Sequence, residues 1–168
     1  MSLINLKSDD CQNATAPMIK IRKASNSDTP QLEQLFLEVR QNTFTWENPN
    51  KFKLEDYQKA TEGETVFLAE DDKKIIGFIS VWEHDSPAFL HHLFVSKAHQ
   101  RQGIGRLLIQ SISSSIPLPY RLKCIVKNEN ALDFYLKNNW SIVGKGISED
   151  GDYLLLELPK LDGPLNEN

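Results

Sequence analysis

The segment Gln100-Arg101-Gln102-Gly103-Ile104-Gly105-Arg106 holds two glycines, two arginines and two amide side chains within seven positions. An apolar run, Phe89 to Val95, precedes it, and Ile104, Leu107, Leu108 and Ile112 recur after it at helical spacing. Strand, glycine turn and helix N-terminus in that order make an anion cradle. The first-turn N–H groups of a helix lack internal acceptors, and the helix dipole adds partial positive charge there. Glycine lets a backbone approach a phosphate with no side chain in the way. The segment therefore predicts a phosphorylated ligand, held by the backbone N–H groups of Arg101, Gln102, Gly103, Gly105 and Arg106. The side chains of Arg101 and Arg106 either reach the phosphates or stay solvated.

Two glycine-turn chemistries do not fit. A P-loop requires Lys-Ser/Thr after its last glycine, and Arg106-Leu107 follows Gly105. A dinucleotide fingerprint requires a third glycine where Leu108 stands, and an acid about 20 residues on that residues 120–127 do not supply.

The elements around the turn follow from periodicity. Met18 to Arg22 alternates as a strand, and Leu32, Leu35, Phe36 and Val39 make a helical stripe. Asp28, with Gln31 three residues on, reads as the cap of that helix. A loop over Thr43–Lys53 carries Phe44, Trp46 and Phe52, and a short helix covers Leu54–Thr61. Thr65–Glu70 and Ile75–Trp82 form a hairpin, and Phe89–Val95 is the next strand. The helix after the glycine turn runs to about Ile116, where Pro117 and Pro119 stop it. Tyr120–Val126 is a strand, Ala131–Asn138 a helix, and Trp140–Lys145 and Tyr153–Leu158 are the last strands. The order β α α β β β α β α β β predicts an α/β fold with one mixed sheet and helices on both faces.

With 168 residues the chain fits one domain, here residues 18–160, between a polar leader (1–17) and a polar tail (161–168). A formal charge of −4 argues against nucleic acid as a partner. The two cysteines, Cys11 and Cys124, suggest neither a disulfide framework nor a metal site. No apolar run reaches the ~18 residues of a membrane span, and the leader lacks a signal-peptide core. The expected location is the cytoplasm.

Gln-x-x-Gly-x-Gly after a strand ending Leu93-Phe94-Val95 resembles the acetyl-CoA motif of the GCN5-related N-acetyltransferase (GNAT) superfamily, matched at Gln100, Gly103 and Gly105. Asn130-Ala131-Leu132-Asp133-Phe134-Tyr135 to Asn139-Trp140 resembles the family's Asn-x-x-Ala-x-x-x-Tyr-x-x-x-Gly-Phe segment in compressed form, with Asn139-Trp140 in place of Gly-Phe. The resemblance spans residues 18–158. It implies a mostly antiparallel sheet that splays open after the strand 89–95, and acetyl-CoA as co-substrate. The pantetheine arm would pair with the main chain of Leu93, Phe94 and Val95 and accept a hydrogen bond from Asn130, which otherwise serves as a helix cap.

Acetyl transfer to an amine needs a base for an ammonium of pKa ~10, an acid for the leaving thiolate, and donors for the oxyanion. The resemblance puts Tyr135 at the position of the acid. It puts His91 in register with a strand histidine that acts in proton removal in serotonin N-acetyltransferase. His91 and His92 are adjacent on a strand and so are expected on opposite faces, His91 with Leu93 and Val95. Glu83 and His84, through a water chain, are the alternative bases. The loop 43–53, the second helix and the last hairpin would select the acceptor, with Phe44, Trp46 and Trp82 as walls and Glu47 and Glu83 as attractors of a cation. The expected activity is direct acetyl transfer from acetyl-CoA to a small-molecule or peptide amine, without Cys124 as nucleophile. A non-catalytic CoA-binding module and an acyltransferase of other specificity are the alternatives, and a homodimer stays open.

Overall fold

The computed structural model describes residues 18–161; the leader with Cys11 and residues 162–168 of the tail lie outside them. Strand β1 (Lys20–Lys23) leads into α1 (Thr29–Thr43), and α2 (Asp56–Ala60) follows the aromatic loop. Then come β2 (Thr65–Asp71), β3 (Lys74–Trp82), β4 (Ala88–Val95), α3 (Ile104–Ile112), β5 (Tyr120–Ile125), α4 (Glu129–Lys137), β6 (Ser141–Ser148) and β7 (Gly151–Leu158). The order is the one the periodicity predicts. Helix α3 ends four residues early: Ser111, Ser113, Ser114 and Ser115 each turn their hydroxyl onto a backbone carbonyl of the preceding turn. Such local bonds compete with helix propagation before the prolines are reached.

The sheet order is β1-β2-β3-β4-β5-β7-β6. Every contact is antiparallel except β4–β5, which is parallel. That parallel pairing covers only Ala88 opposite Tyr120 and Phe89 opposite Arg121. Beyond it the two strands part, and among the described residues no strand lies on the rest of that β4 edge.

The sheet separates two apolar clusters. On one face Leu32, Leu35, Phe36 and Val39 of α1 and Tyr57 of α2 pack on Leu68 and Phe78. On the other, Ile104, Leu108 and Ile112 of α3 pack on Ala69, Ile79, Val81 and Leu90, continuous with Tyr135 and Trp140. Helical stripes and alternating strands thus meet as the pattern requires.

One interruption matters for function. His92 lies opposite Ser80 and Leu90 opposite Val81, so His91 is an extra residue in β4. A β-bulge breaks the alternation. Leu90 before it and Leu93 and Val95 after it all pack against the α3-side cluster. The expectation that His91 shares a face with Leu93 and Val95, away from His92, is therefore corrected. Phe36 of α1 stacks edge-on against His92, at 5.2 Å between ring centroids, and His91 lies beside His92 in the same cleft.

Two further sequence expectations change. Asp28 does not cap α1 with its side chain. It closes a capping box with Ser25 around a 3-10 turn, Asn26–Asp28. Its carboxylate takes both arms of the Arg22 guanidinium, at 2.7 and 2.8 Å. Arg22 also reaches Glu70 at 3.1 Å. This contact holds the Asp28 carboxyl well below the usual carboxylate range, outweighing its burial. At the end of α4, Asn139 stands where the related motif has glycine. It adopts φ 66°, the left-handed region that asparagine tolerates. The Trp140 N–H then bonds the Tyr135 carbonyl at 3.1 Å and closes the helix. The Asn139-Trp140 departure thus keeps the turn.

Candidate active site

Parting of β4 from β5 opens a cleft of about 460 Å³. His91, His92, Leu93 and Phe94 line one side, and Lys123, Cys124 and Ile125 of β5 the other. Asn128, Ala131 and Tyr135 of the α4 region form the floor between them. Phe44, Trp46, Glu47, Lys51 and Phe52 from the loop, Asp56 and Ala60 from α2, and Ser148, Asp150 and Tyr153 from the last hairpin close the outer end. The three segments expected to select an acceptor do meet there.

The glycine turn sits at the foot of β4 and is tied down by its own side chains. Gln100 donates to the Val95 carbonyl at 3.0 Å, Gln102 to the Ala98 carbonyl at 3.3 Å, and Ser96 Oγ pairs with His99 Nδ1 at 2.7 Å. The two glutamines therefore shape the loop. Gly103 caps α3 at φ 80° with open space where a Cβ would be. Gly105 has another role: a Cβ there would meet Phe134 Cζ at 3.2 Å and Leu93 at 3.8 Å. It lets α3 pack close to α4 and β4. Ile104 is buried in the core, so only its main chain can serve a ligand. Arg101 is exposed, and Arg106 is half-buried and lines a small separate pocket with Lys137 and Trp140.

Tyr135 is buried at the cleft floor between Phe134 and Trp140, at 5.2 and 5.4 Å between ring centroids. Burial pushes its hydroxyl far above the ordinary tyrosine value, so it stays protonated. Burial also pushes the Cys124 thiol up to about 11, leaving it a poor nucleophile.

Asn130 is not at the site. It is exposed and outside the cleft, whereas Asn128 accepts from the Ala131 N–H at 3.3 Å as the cap of α4 and lines the cleft. The uncompressed spacing was legible: counting back seven from Tyr135 gives Asn128, with Ala131 between. Glu83 and His84 also lie elsewhere. Glu83 is exposed and hydrogen-bonded by Thr65, and His84 is exposed with its ring against Trp82 at 4.6 Å. Trp82 packs at Gly63 rather than on the cleft wall.

His91 is half-exposed, with Nδ1 on Oε1 of Glu64, a residue that sequence reasoning missed. No spacing signal marks Glu64, which stands 27 positions before His91. Burial, then the Lys123 ammonium, lower the His91 pKa below its ordinary value, so the ring is neutral near pH 7. His92 is deeper. Burial lowers it to about 4, against a bond to the Ala60 backbone that raises it. Arg40, another residue without a sequence signal, bonds Asp56 at 3.0 Å and stacks on Phe36 and Phe52 at 4.5 and 4.3 Å.

A split parallel strand pair, a glycine-capped helix start and a buried tyrosine lining the gap thus lie together. Residues 62–142 match the model of the acetyltransferase (GNAT) domain. The chain is 31% identical over 132 residues to the peptidyl-lysine N-acetyltransferase YiaC of Escherichia coli (strain K12), spanning 73% of this chain and 84% of that protein. The chain belongs to the GNAT acetyltransferase superfamily. As a GNAT protein it is an acyl-transferring enzyme, and acetyl-CoA is the co-substrate of this family. Its fold is similar to that of the PaiA N-acetyltransferase from Thermoplasma acidophilum, solved in complex with coenzyme A. The TM-score is 0.69 at 20% identity, covering 84% of this chain and 99% of that one. The ribosomal-protein-S18-alanine N-acetyltransferase from Escherichia coli is similar too, with a TM-score of 0.65 at 20% identity over 90% of this chain and 99% of that one. Among the described residues of the GNAT chain, no helix is long and apolar enough to cross a membrane.

Proposed function

We propose that this enzyme acetylates the side-chain amine of lysine in a peptide or protein, by direct attack of the amine on acetyl-CoA. The observation that carries the reading is the parting of β4 and β5 beside Tyr135, with the α3 N-terminus at its foot. The backbone N–H groups of residues 101–106 take the pyrophosphate. The free edge of Leu93–Val95 takes the pantetheine arm, with Asn128 in the role first given to Asn130. His91 Nε2 removes a proton from the ammonium. The amine nitrogen then forms its bond to the thioester carbon, the carbon–sulfur bond breaks, Tyr135 gives its proton to the sulfur, and the second proton that the nitrogen sheds on becoming an amide restores the Tyr135 hydroxyl. The Val95 N–H polarises the carbonyl. The enzyme works in the cytoplasm on this reading.

Lysine as acceptor is supported by two things. YiaC, a relative over most of both chains, is a peptidyl-lysine acetyltransferase. The outer cleft also joins aromatic surface, Phe44 at 5.5 Å from Trp46 and 6.1 Å from Phe52 between centroids, to the carboxylates of Glu47 and Asp150. Aromatic rings cover the methylene stem of a lysine; Glu47 and Asp150 already hold the Lys51 ammonium, at 3.2 and 4.0 Å. Thiol release from acetyl-CoA tests the reading, measured across lysine peptides, free amino acids and polyamines. Lysine peptides are expected to give the highest kcat/KM. Preference for a polyamine would replace the acceptor, and CoA binding without release across the panel would leave a binding module.

A further inference from the structure

Glu64 is the least explained charged group in the molecule. Its side chain is 2% exposed at the start of β2. One oxygen touches His91 Nδ1, and the other, Oε2, is buried with no hydrogen-bond partner among the described residues. A carboxylate in that position costs stability unless it is paired or put to use. The β4 bulge makes His91 the extra residue and leaves it beside His92 in the cleft. A regular strand would have sent it to the α3 side with Leu93.

We propose that Glu64 is a positioning residue: it accepts the Nδ1–H of His91, fixes that tautomer, and leaves the Nε2 lone pair as the base that faces the cleft. The inference rests on His91 acting as the base in the function proposed above. When the ammonium gives its proton to Nε2, the imidazolium forms against Glu64. The other charged or titratable groups near the ring are Lys123 from β5 and His92 on β4; Arg40 from α1, which acts on His92, is paired with Asp56. Burial and then Lys123 work against protonation of His91; on this proposal Glu64, lying against Nδ1, works for it. The ring is thus a neutral base at rest and a stabilised cation in the transition state.

The experiment combines kinetics with ring-nitrogen NMR on the full chain. In the wild-type protein the His91 signals are expected to show the Nδ1–H tautomer; an Nε2–H tautomer overturns the proposal with no variant needed. Glu64→Gln is expected to lower kcat by ~100-fold, the lower end of what a positioned base supplies, with KM for acetyl-CoA unchanged. The acid limb of its kcat/KM profile and the His91 titration are expected to move together to lower pH. Glu64→Asp should recover part of the rate. Lys123→Met should move both curves the other way. An unchanged acid limb and His91 titration in Glu64→Gln overturn the role of Glu64 while a slow His91→Ala variant upholds His91 as base. A fully active His91→Ala overturns the base itself, and the Glu64 role with it.

Discussion

Gly105 and Phe134 meet across α3 and α4 so closely that a Cβ on Gly105 would lie 3.2 Å from Phe134 Cζ. The second glycine of the motif is thus a packing residue, and the first, Gly103 at φ 80° with open space beyond it, is the conformational one. Two different costs follow. Gly103→Ala meets no atom but forces an L-residue into the left-handed region, a loss of about 1 kcal/mol. Gly105→Val overpacks the α3–α4 contact at about 1–3 kcal/mol. Gly105→Ala falls between, because its gain in helix propensity, about 1 kcal/mol, offsets the crowding. Urea denaturation of the three variants checks the ranking.

Tyr135→Phe removes one hydroxyl from a buried ring and leaves its contacts with Phe134 and Trp140. We expect Tm within a few degrees of wild type, CoA affinity unchanged and kcat down by about 100-fold, the scale of a lost general acid. Because burial raises the Tyr135 pKa, no basic limb near pH 10 is expected from it in the wild-type rate profile. Stopped-flow thiol release against pH measures both.

Stability should fall with acid in two windows. His92 is lowered from 6.5 to about 4 in the folded chain, so between those values the unfolded chain binds a proton that the folded chain refuses. Its contribution is fully present above pH 6.5 and is lost as pH falls toward 4, at up to about 1.4 kcal/mol per pH unit. Asp28, held low by Arg22, adds a second loss that begins as pH falls through its unfolded value of 3.8. Denaturation curves from pH 8 to 3 should show the first window flattened in His92→Phe and the second in Asp28→Asn.

Asn139 at φ 66° closes α4 and so sets where Tyr135 stands. Asn139→Gly is expected to be close to neutral, since glycine reaches this conformation freely. Asn139→Ala should cost about 1 kcal/mol. Thermal unfolding distinguishes them.

Periodicity alone was enough for the element order, because a stripe at Leu32, Leu35, Phe36 and Val39 or an alternation along Thr65–Glu70 can bury its apolar face only one way. The glycine turn at the start of α3 was legible for a similar reason. It is built from backbone within seven consecutive residues, so local rules decide it. The cap of α4 was legible in the same sense and was misassigned by two residues, from Asn128 to Asn130.

Proton chemistry belonged to the tertiary structure. A one-residue bulge has no sequence mark in β4, yet it moved His91 from the α3 side to the cleft. Glu83 and His84, close in sequence to β4, lie outside the site, while Glu64, 27 residues from His91, touches it. Contacts between strands depend on register, and register is settled by how the whole sheet packs its two faces. The chain by itself determined the glycine turn between β4 and α3. Only the folded sheet decided which carboxylate stands behind the histidine, because that contact joins two strands across a third.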